Sequence, residues 1–172
     1  MHAVITGAND GIGLETAKGL AKLGYNQTWL CRNLEKARKA SNDLLLRFPA
    51  LSINIIQVDL ASLVSVKNAA LQVIALEQGI DVLLCNAGGT FSHYTLTEDG
   101  VEKTMAVNHL SHFLLCQILL EHLNPKARIV HVSSRANLKG KLSHDELKQC
   151  TAESGPKYYI MAAYRRSKLA NV

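Results

Sequence analysis

A run of small and polar residues near the N-terminus, Thr6-Gly7-Ala8-Asn9-Asp10-Gly11-Ile12-Gly13, sits where an apolar segment gives way to a helical period. A pyrophosphate held at such a junction needs backbone at close range and a helix N-terminus aimed at it. Any side chain larger than hydrogen blocks that approach. The spacing is GxxxGxG and not GxGxxG, so a glycine-rich turn without a ligand is the competing reading of the run alone. A second chemical group lies far along the chain. Tyr164 and Lys168 are four residues apart, which puts a phenol and an ammonium on one face of a helix. A phenol ordinarily titrates at about 10, and a neighbouring cation favours its ionised form. The pair therefore suits proton transfer, with an exposed amphipathic helix as the plainer alternative.

About 20 residues past such a glycine loop, an NAD-selective site usually offers Asp or Glu to the ribose 2′-hydroxyl. Cys31-Arg32-Asn33 stands there instead, with no acid and one guanidinium. Arg32 suits the 2′-phosphate of NADP; the alternative is a solvated arginine at a strand end. His109 and His112 form an HxxH with no Glu between them and no third ligand after them, so they read as a helix face and not as a metal site. Cys31, Cys85, Cys116 and Cys150 are widely spaced and make no CxxC pair. That pattern argues against a zinc site and a disulfide framework, and for a reducing compartment such as the cytoplasm.

Positioning these groups requires an alternating scaffold. His2 to Thr6 is a short apolar run, Ile12 to Leu23 a helical period closed by Gly24, and Asn26 to Cys31 a second strand-like run. Leu34 to Phe48 reads as an amphipathic helix ended by Pro49, Leu51 to Val58 as a strand, Ser62 to Gln78 as a helix and Ile80 to Cys85 as a strand. A long helix is expected over roughly Asp99 to Leu123, stopped by Pro125, followed by a fifth strand at Ala127 to Val132. Strands alternating with helices of this length predict βαβ units: an α/β fold with a Rossmann-like, doubly wound parallel sheet in a single domain. Arg135 to Lys157 breaks the rhythm as a polar loop, with Ser143 to Glu146 at capping-box spacing.

Composition narrows the function classes. The 172 residues are 48% hydrophobic and 19% charged, as in an ordinary globular protein. The net charge of +5 is scattered and forms no basic stripe, which argues against nucleic acid and fits an anionic small ligand. No stretch reaches the about 18 apolar residues of a membrane span, and the first residues read as a core strand and not as a signal peptide.

Taken together, the segments resemble the short-chain dehydrogenase/reductase family. Thr6 to Gly13 is similar to the family's glycine motif, in which Gly7, Asn9, Asp10, Gly11, Ile12 and Gly13 would face the cofactor. Asp59-Leu60 resembles the pair beside the adenine ring, and Asn86-Ala87-Gly88 the NAG signature at the sheet's carboxyl edge. Asn108 falls at the family's catalytic Asn, Ser134 in Val132-Ser133-Ser134 at its catalytic Ser, and Tyr164 to Lys168 at its YxxxK element. Cys31-Arg32-Asn33, Asn108-His109 and Ser167 to Asn171 look most like the retinol dehydrogenase branch, and Tyr158 to Leu169 is also similar to the oxidoreductase part of the WW-domain-containing oxidoreductase.

The resemblance implies an NADP(H)-dependent interconversion of a carbonyl and an alcohol on a lipophilic substrate such as a retinoid or steroid. Tyr164 would supply the proton, Lys168 would hold both the phenol and the nicotinamide ribose, Ser134 would bond the substrate oxygen, and Asn108 would anchor a relay water. In this family the continuation of the Tyr-bearing helix often forms a homodimer interface, and relatives are often found at the endoplasmic reticulum. The family's chains also run well past YxxxK, whereas this sequence ends at Val172. From that follow three expectations: a fraying terminal helix, an open fifth strand, and a pyrophosphate end better preserved than the nicotinamide end. The competing class is a catalytically inactive dinucleotide-binding or interaction module.

Overall fold

The apolar runs pair as parallel strands in a computed structural model that describes residues 1–151 and 157–172. Strands β1 (His2–Thr6), β2 (Asn26–Cys31), β3 (Ile53–Gln57), β4 (Ile80–Cys85) and β5 (Leu123–His131) form one sheet in the order β3-β2-β1-β4-β5, every neighbouring pair parallel. The order reverses between β1 and β4, and in such sheets the crevice beyond the carboxyl ends at that point receives ligands. The α/β, doubly wound expectation holds.

Alternation along the strands sorts the core into two layers. Ala3, Ile5 and Trp29 face α1 (Gly11–Lys22) and α2 (Leu34–Leu45), burying Ala17, Ala21, Ala37 and Leu44. Val4, Leu30 and Leu83 face α3 (Leu63–Ile74) and α5 (Ser111–Leu119), burying Val66, Ala69, Leu115 and Leu119. Strands covered on both faces need near-continuous apolar sequence, and β1 is buried at all five positions. Asp10, Asn33 and Ser62 cap α1, α2 and α3 with their side-chain oxygens.

Two expected boundaries move. The long helix begins as α4 (Lys103–Met105), because Leu96 bridges Glu102 and Gly100 turns the chain at φ 72°. The Glu102 carboxylate then accepts from Thr104 and Met105 N–H at 2.7 and 3.0 Å, starting the helix. The helix widens into a π turn over Ala106–Leu110 before α5 resumes and ends in a 3-10 turn, Leu120–His122. Pro125 does not precede β5 but lies within it. The ladder jumps from Ile80↔Leu123 to Val82↔Arg128, so Pro125 occupies a bulge where no ladder N–H is required. Lys126 at φ 71° and the Asn124 amide donating to Asp81 at 2.8 Å complete that bulge.

Beyond β5, a 3-10 turn (Arg135–Lys139) is followed by α6 (His144–Lys148), whose cap is Ser143, as the capping-box spacing predicts. The remainder of the expected loop at 152–156 lies outside the described residues. Helix α7 (Ile160–Leu169) carries the YxxxK element. Within this sheet β5 is an edge strand, with Ile129 and Val130 exposed. No helix among the described residues is long and apolar enough to cross a membrane.

Candidate functional site

The carboxyl ends of β1, β2, β3 and β4 open onto a cleft of about 680 Å3, within the usual range for small-molecule sites. Gly7, Asn9, Asp10, Gly11 and Ile12 form one wall at the start of α1, so that helix presents its positive dipole end to the cleft. Gly7 (φ 67°) and Gly11 (φ 49°) adopt the left-handed backbone that glycine tolerates. Gly13 is needed for packing instead. A Cβ there would lie 2.2 Å from the Gly7 carbonyl oxygen and 2.5 Å from Asn86 Nδ2.

Asn86 ties this loop to β4. Its amide donates to the carbonyls of Thr6 at 3.0 Å and Gly7 at 3.4 Å, while the Asn86 and Ala87 N–H groups donate to Thr6 Oγ1 at 2.9 and 3.0 Å. The Thr6 hydroxyl also donates to the Leu84 carbonyl at 3.4 Å and lies 2.9 Å from His112 Nε2. On its other side, His112 Nδ1 faces the Asn108 carbonyl at 3.4 Å. Burial pushes its pKa down to about 4, which keeps the imidazole neutral at neutral pH.

At the far wall, Arg32 and Asp59 are exposed and Leu60 is buried, all three lining the cleft. Asp59 accepts from Ala61 N–H at 2.9 Å, and the Leu60 carbonyl accepts from Ser111 at 2.6 Å. Lys36, one turn into α2, joins Arg32 at this rim and pairs with Asp10, holding the Asp10 carboxyl below its usual range.

The other predicted residues converge at the β4–β5 end. Asn108, fully buried on the π turn, clasps Gly89: its Oδ1 accepts from Gly89 N–H at 2.8 Å and its Nδ2 donates to the Gly89 carbonyl at 3.0 Å. The same Nδ2 donates to Ser167 on α7 at 2.9 Å, and the Asn108 carbonyl accepts from Asn171 at 3.0 Å. These bonds form a clasp that joins the Gly88-Gly89 turn to α7. A Cβ on Gly88 would stand 2.8 Å from Asn108 Oδ1 and 3.6 Å from Lys168 Nζ, so this turn, too, requires glycine.

Lys168 is buried, its Nζ donating to the Val132 carbonyl at 2.7 Å and standing 5.8 Å from the centre of the Tyr164 ring. Loss of solvation lowers its pKa from the usual lysine value. Ser133 donates to the Lys168 carbonyl at 2.7 Å, and the Asn171 Oδ1 meets His109 Nδ1 at 2.9 Å. Together with an ion pair between the largely buried Arg166 and Glu146, these contacts oppose the fraying expected of α7. Ser134 does not bond Tyr164 directly; its Oγ accepts from Ala136 N–H at 3.2 Å.

The family profile described as short chain dehydrogenase matches residues 1–144. The chain belongs to the short-chain dehydrogenase family. It is 41% identical to human (Homo sapiens) retinol dehydrogenase 13, over 98% of this chain and 50% of the relative. It is 39% identical to the WW domain-containing oxidoreductase of Gallus gallus, over 98% of this chain and 42% of that protein. This member therefore spans about half the length of the curated relatives it matches. A crystal structure of an uncharacterized protein from Mycobacterium Paratuberculosis superposes with a TM-score of 0.84 at 37% identity, covering 99% of this chain and 58% of the other.

Several site-shaping residues of this short-chain dehydrogenase escape a reading of the sequence. Lys36 follows Arg32 by four positions at the opening of α2, a placement visible once Asn33 is recognised as the cap. Thr6 lies inside the glycine motif, yet its bond to His112 depends on α5 crossing the sheet. Ser133 and Ser167 carry no sequence signal beyond adjacency to Ser134 and Lys168.

Proposed function

We propose that this short-chain dehydrogenase binds NADP(H) in the cleft and serves carbonyl–alcohol interconversion on a small lipophilic substrate, a retinoid or a steroid. The observation that carries the reading is the convergence of Lys168, Asn108 and Tyr164 on the Gly88-Gly89 turn, which lines the cleft. The glycine cradle fits a pyrophosphate, since Gly7 and Gly11 line the cleft at the N-terminus of α1 and the space beside Gly11 is open. Arg32 and Lys36 at the opposite rim, with no acid at the end of β2, favour the 2′-phosphate. The bound dinucleotide supplies the hydride.

The chain's own groups manage the proton and the geometry. Tyr164 donates its phenolic proton to the developing alkoxide, with the Lys168 ammonium 5.8 Å from the centre of its ring. Ser134 donates its hydroxyl proton to the substrate oxygen, a bond that accepting from Ala136 N–H leaves open. Asn108 is a positioning residue that fixes α7 against the Gly88-Gly89 turn. The retinoid is supported by the name of the relative retinol dehydrogenase 13.

A second reading, dinucleotide binding without turnover, draws on the Ser134 hydroxyl engaged away from Tyr164. NADPH oxidation with all-trans-retinaldehyde separates the two. Tyr164→Phe is expected to lower turnover at least about 100-fold while leaving NADPH binding intact; turnover indifferent to that change sinks the catalytic reading. Arg32→Ala is expected to weaken NADPH about tenfold, roughly 1.4 kcal/mol, and to leave NADH unaffected. Equal affinity of the two cofactors before and after the change would overturn the NADP assignment.

A further inference from the structure

A group of donors stands on the α5 side of the sheet and takes no part in the dinucleotide site. Cys85 and His131 are directly paired residues in the parallel ladder between β4 and β5, so their side chains leave the sheet on the same face. Cys116 of α5 comes down onto them. Its Sγ lies 3.6 Å from that of Cys85 and 3.7 Å from His131 Nε2, and the three donor atoms all fall within 4.8 Å of one another. Both cysteines are buried, and His131 is half-buried with its Nδ1 shut off from solvent and without a hydrogen-bond partner.

We propose that Cys85, Cys116 and His131 bind one divalent metal ion of the zinc class, with a water in the fourth position. Tetrahedral coordination with Zn–S of about 2.3 Å and Zn–N of about 2.0 Å separates two sulfurs by about 3.8 Å, and sulfur from nitrogen by about 3.5 Å. The distances of 3.6 and 3.7 Å already match those two edges. The third edge, between Cys85 and His131, closes by a small side-chain rotation within the 4.8 Å limit.

Charge balance points the same way. Two thiolates neutralise a divalent ion and the imidazole binds neutral, so the filled site places no net charge beside the core leucines Leu115 and Leu119. Binding forms two metal–sulfur bonds and one metal–nitrogen bond. The two thiol protons leave to solvent, and no electron is transferred. Soft sulfur with imidazole selects zinc over magnesium or calcium. Cys85 directly precedes Asn86, so a metal here staples β4, β5 and α5 at the base of the glycine cradle without touching the cofactor.

Titration of the reduced, purified chain with Co2+ under anaerobic conditions tests the site. The expected result is one equivalent bound, with sulfur-to-cobalt charge-transfer absorption, the visible bands of tetrahedral cobalt, and displacement of both by Zn2+. Cys31→Ser with Cys150→Ser should leave the spectrum unchanged. Cys116→Ser should reduce the charge-transfer absorption by about half and weaken binding more than about 100-fold, beyond what loss of an outer-shell partner costs. His131→Ala, at a half-buried position, should abolish the rise in melting temperature that Zn2+ gives the unaltered chain. Octahedral cobalt spectra, the absence of stoichiometric binding, or a signal lost with Cys31 and Cys150 would each overturn the proposal. Should Cys116→Ser fail to fold, the spectrum of the unaltered chain and the Cys31/Cys150 control still decide it.

Discussion

The same substitution made twice on α1 should move stability in opposite directions. At Gly13, an added Cβ meets the Gly7 carbonyl oxygen at 2.2 Å and Asn86 Nδ2 at 2.5 Å. The first is backbone, and the second already donates to Thr6 and Gly7 carbonyls, so neither can swing aside. Overpacking of this kind costs about 1–3 kcal/mol, and a strained Asn86 bond adds about 1 kcal/mol. Alanine's better helix propensity returns about 1 kcal/mol. The net loss is about 2 kcal/mol, or about 4–8 °C in melting temperature for a chain of this size. At Gly19, exposed on the same helix, a Cβ meets nothing within 4 Å, so Gly19→Ala should raise the melting temperature by about 1–4 °C. Thermal melts by circular dichroism read both effects. Fluorescence titration with NADPH should show at least a tenfold loss for Gly13→Ala and none for Gly19→Ala. A Gly13→Ala chain that melts no lower than the parent and binds NADPH normally would refute the packing argument for the cradle.

Two further outcomes follow from the buried titratable groups. Lys168→Met removes a desolvated ammonium but leaves the Val132 carbonyl without its donor, so stability should stay within about 1 kcal/mol while retinaldehyde turnover is lost; a large stability loss with turnover retained would contradict the assignment. His112 has a pKa of about 4 when folded against about 6.5 unfolded, so the unfolded chain takes up the proton first. Its contribution to stability is complete above pH 6.5 and disappears as pH falls towards 4, at most about 3 kcal/mol. The lowered pKa values of His2 and His131 act in the same sense. His112→Gln should flatten urea-unfolding free energies across that window, and an unaltered slope would show that Thr6 tolerates a protonated partner.

Strands β1 and β4 are legible in the sequence because each is a largely apolar run closed by a glycine or polar turn. The start of β5 is not, since Pro125 ordinarily marks a stop and only the pairing with β4 reveals a bulge that accommodates it. The start of the long helix hides for a related reason: the Glu102 carboxylate that begins it also accepts from Tyr158, more than 50 residues away. Chemistry follows the same division. The glycine loop and YxxxK are local patterns, whereas the Thr6–His112 bond and the Asn108 clasp arise where α5 and α7 cross the sheet. Cys85, Cys116 and His131 show the limit most clearly. Their spacing matches no metal motif, and only strand pairing brings them within reach.

The wide turn at Ala106–Leu110 gives the long helix two angular phases. Before it, Thr104 and Met105 are buried towards the α7 side, where Thr104 meets Tyr158; after it, Ser111, Leu115 and Leu119 face the sheet. Each residue in an α-helix advances the chain by about 100°. Deleting one residue from this turn would leave a continuous helix of nearly the same composition, yet rotate everything upstream of Ser111 by that angle. The Asn108 amide would then swing out from between Gly89 and Ser167. What aims it is therefore the number of residues in the turn more than their identity, and a one-residue deletion there should be more damaging than any single conservative substitution.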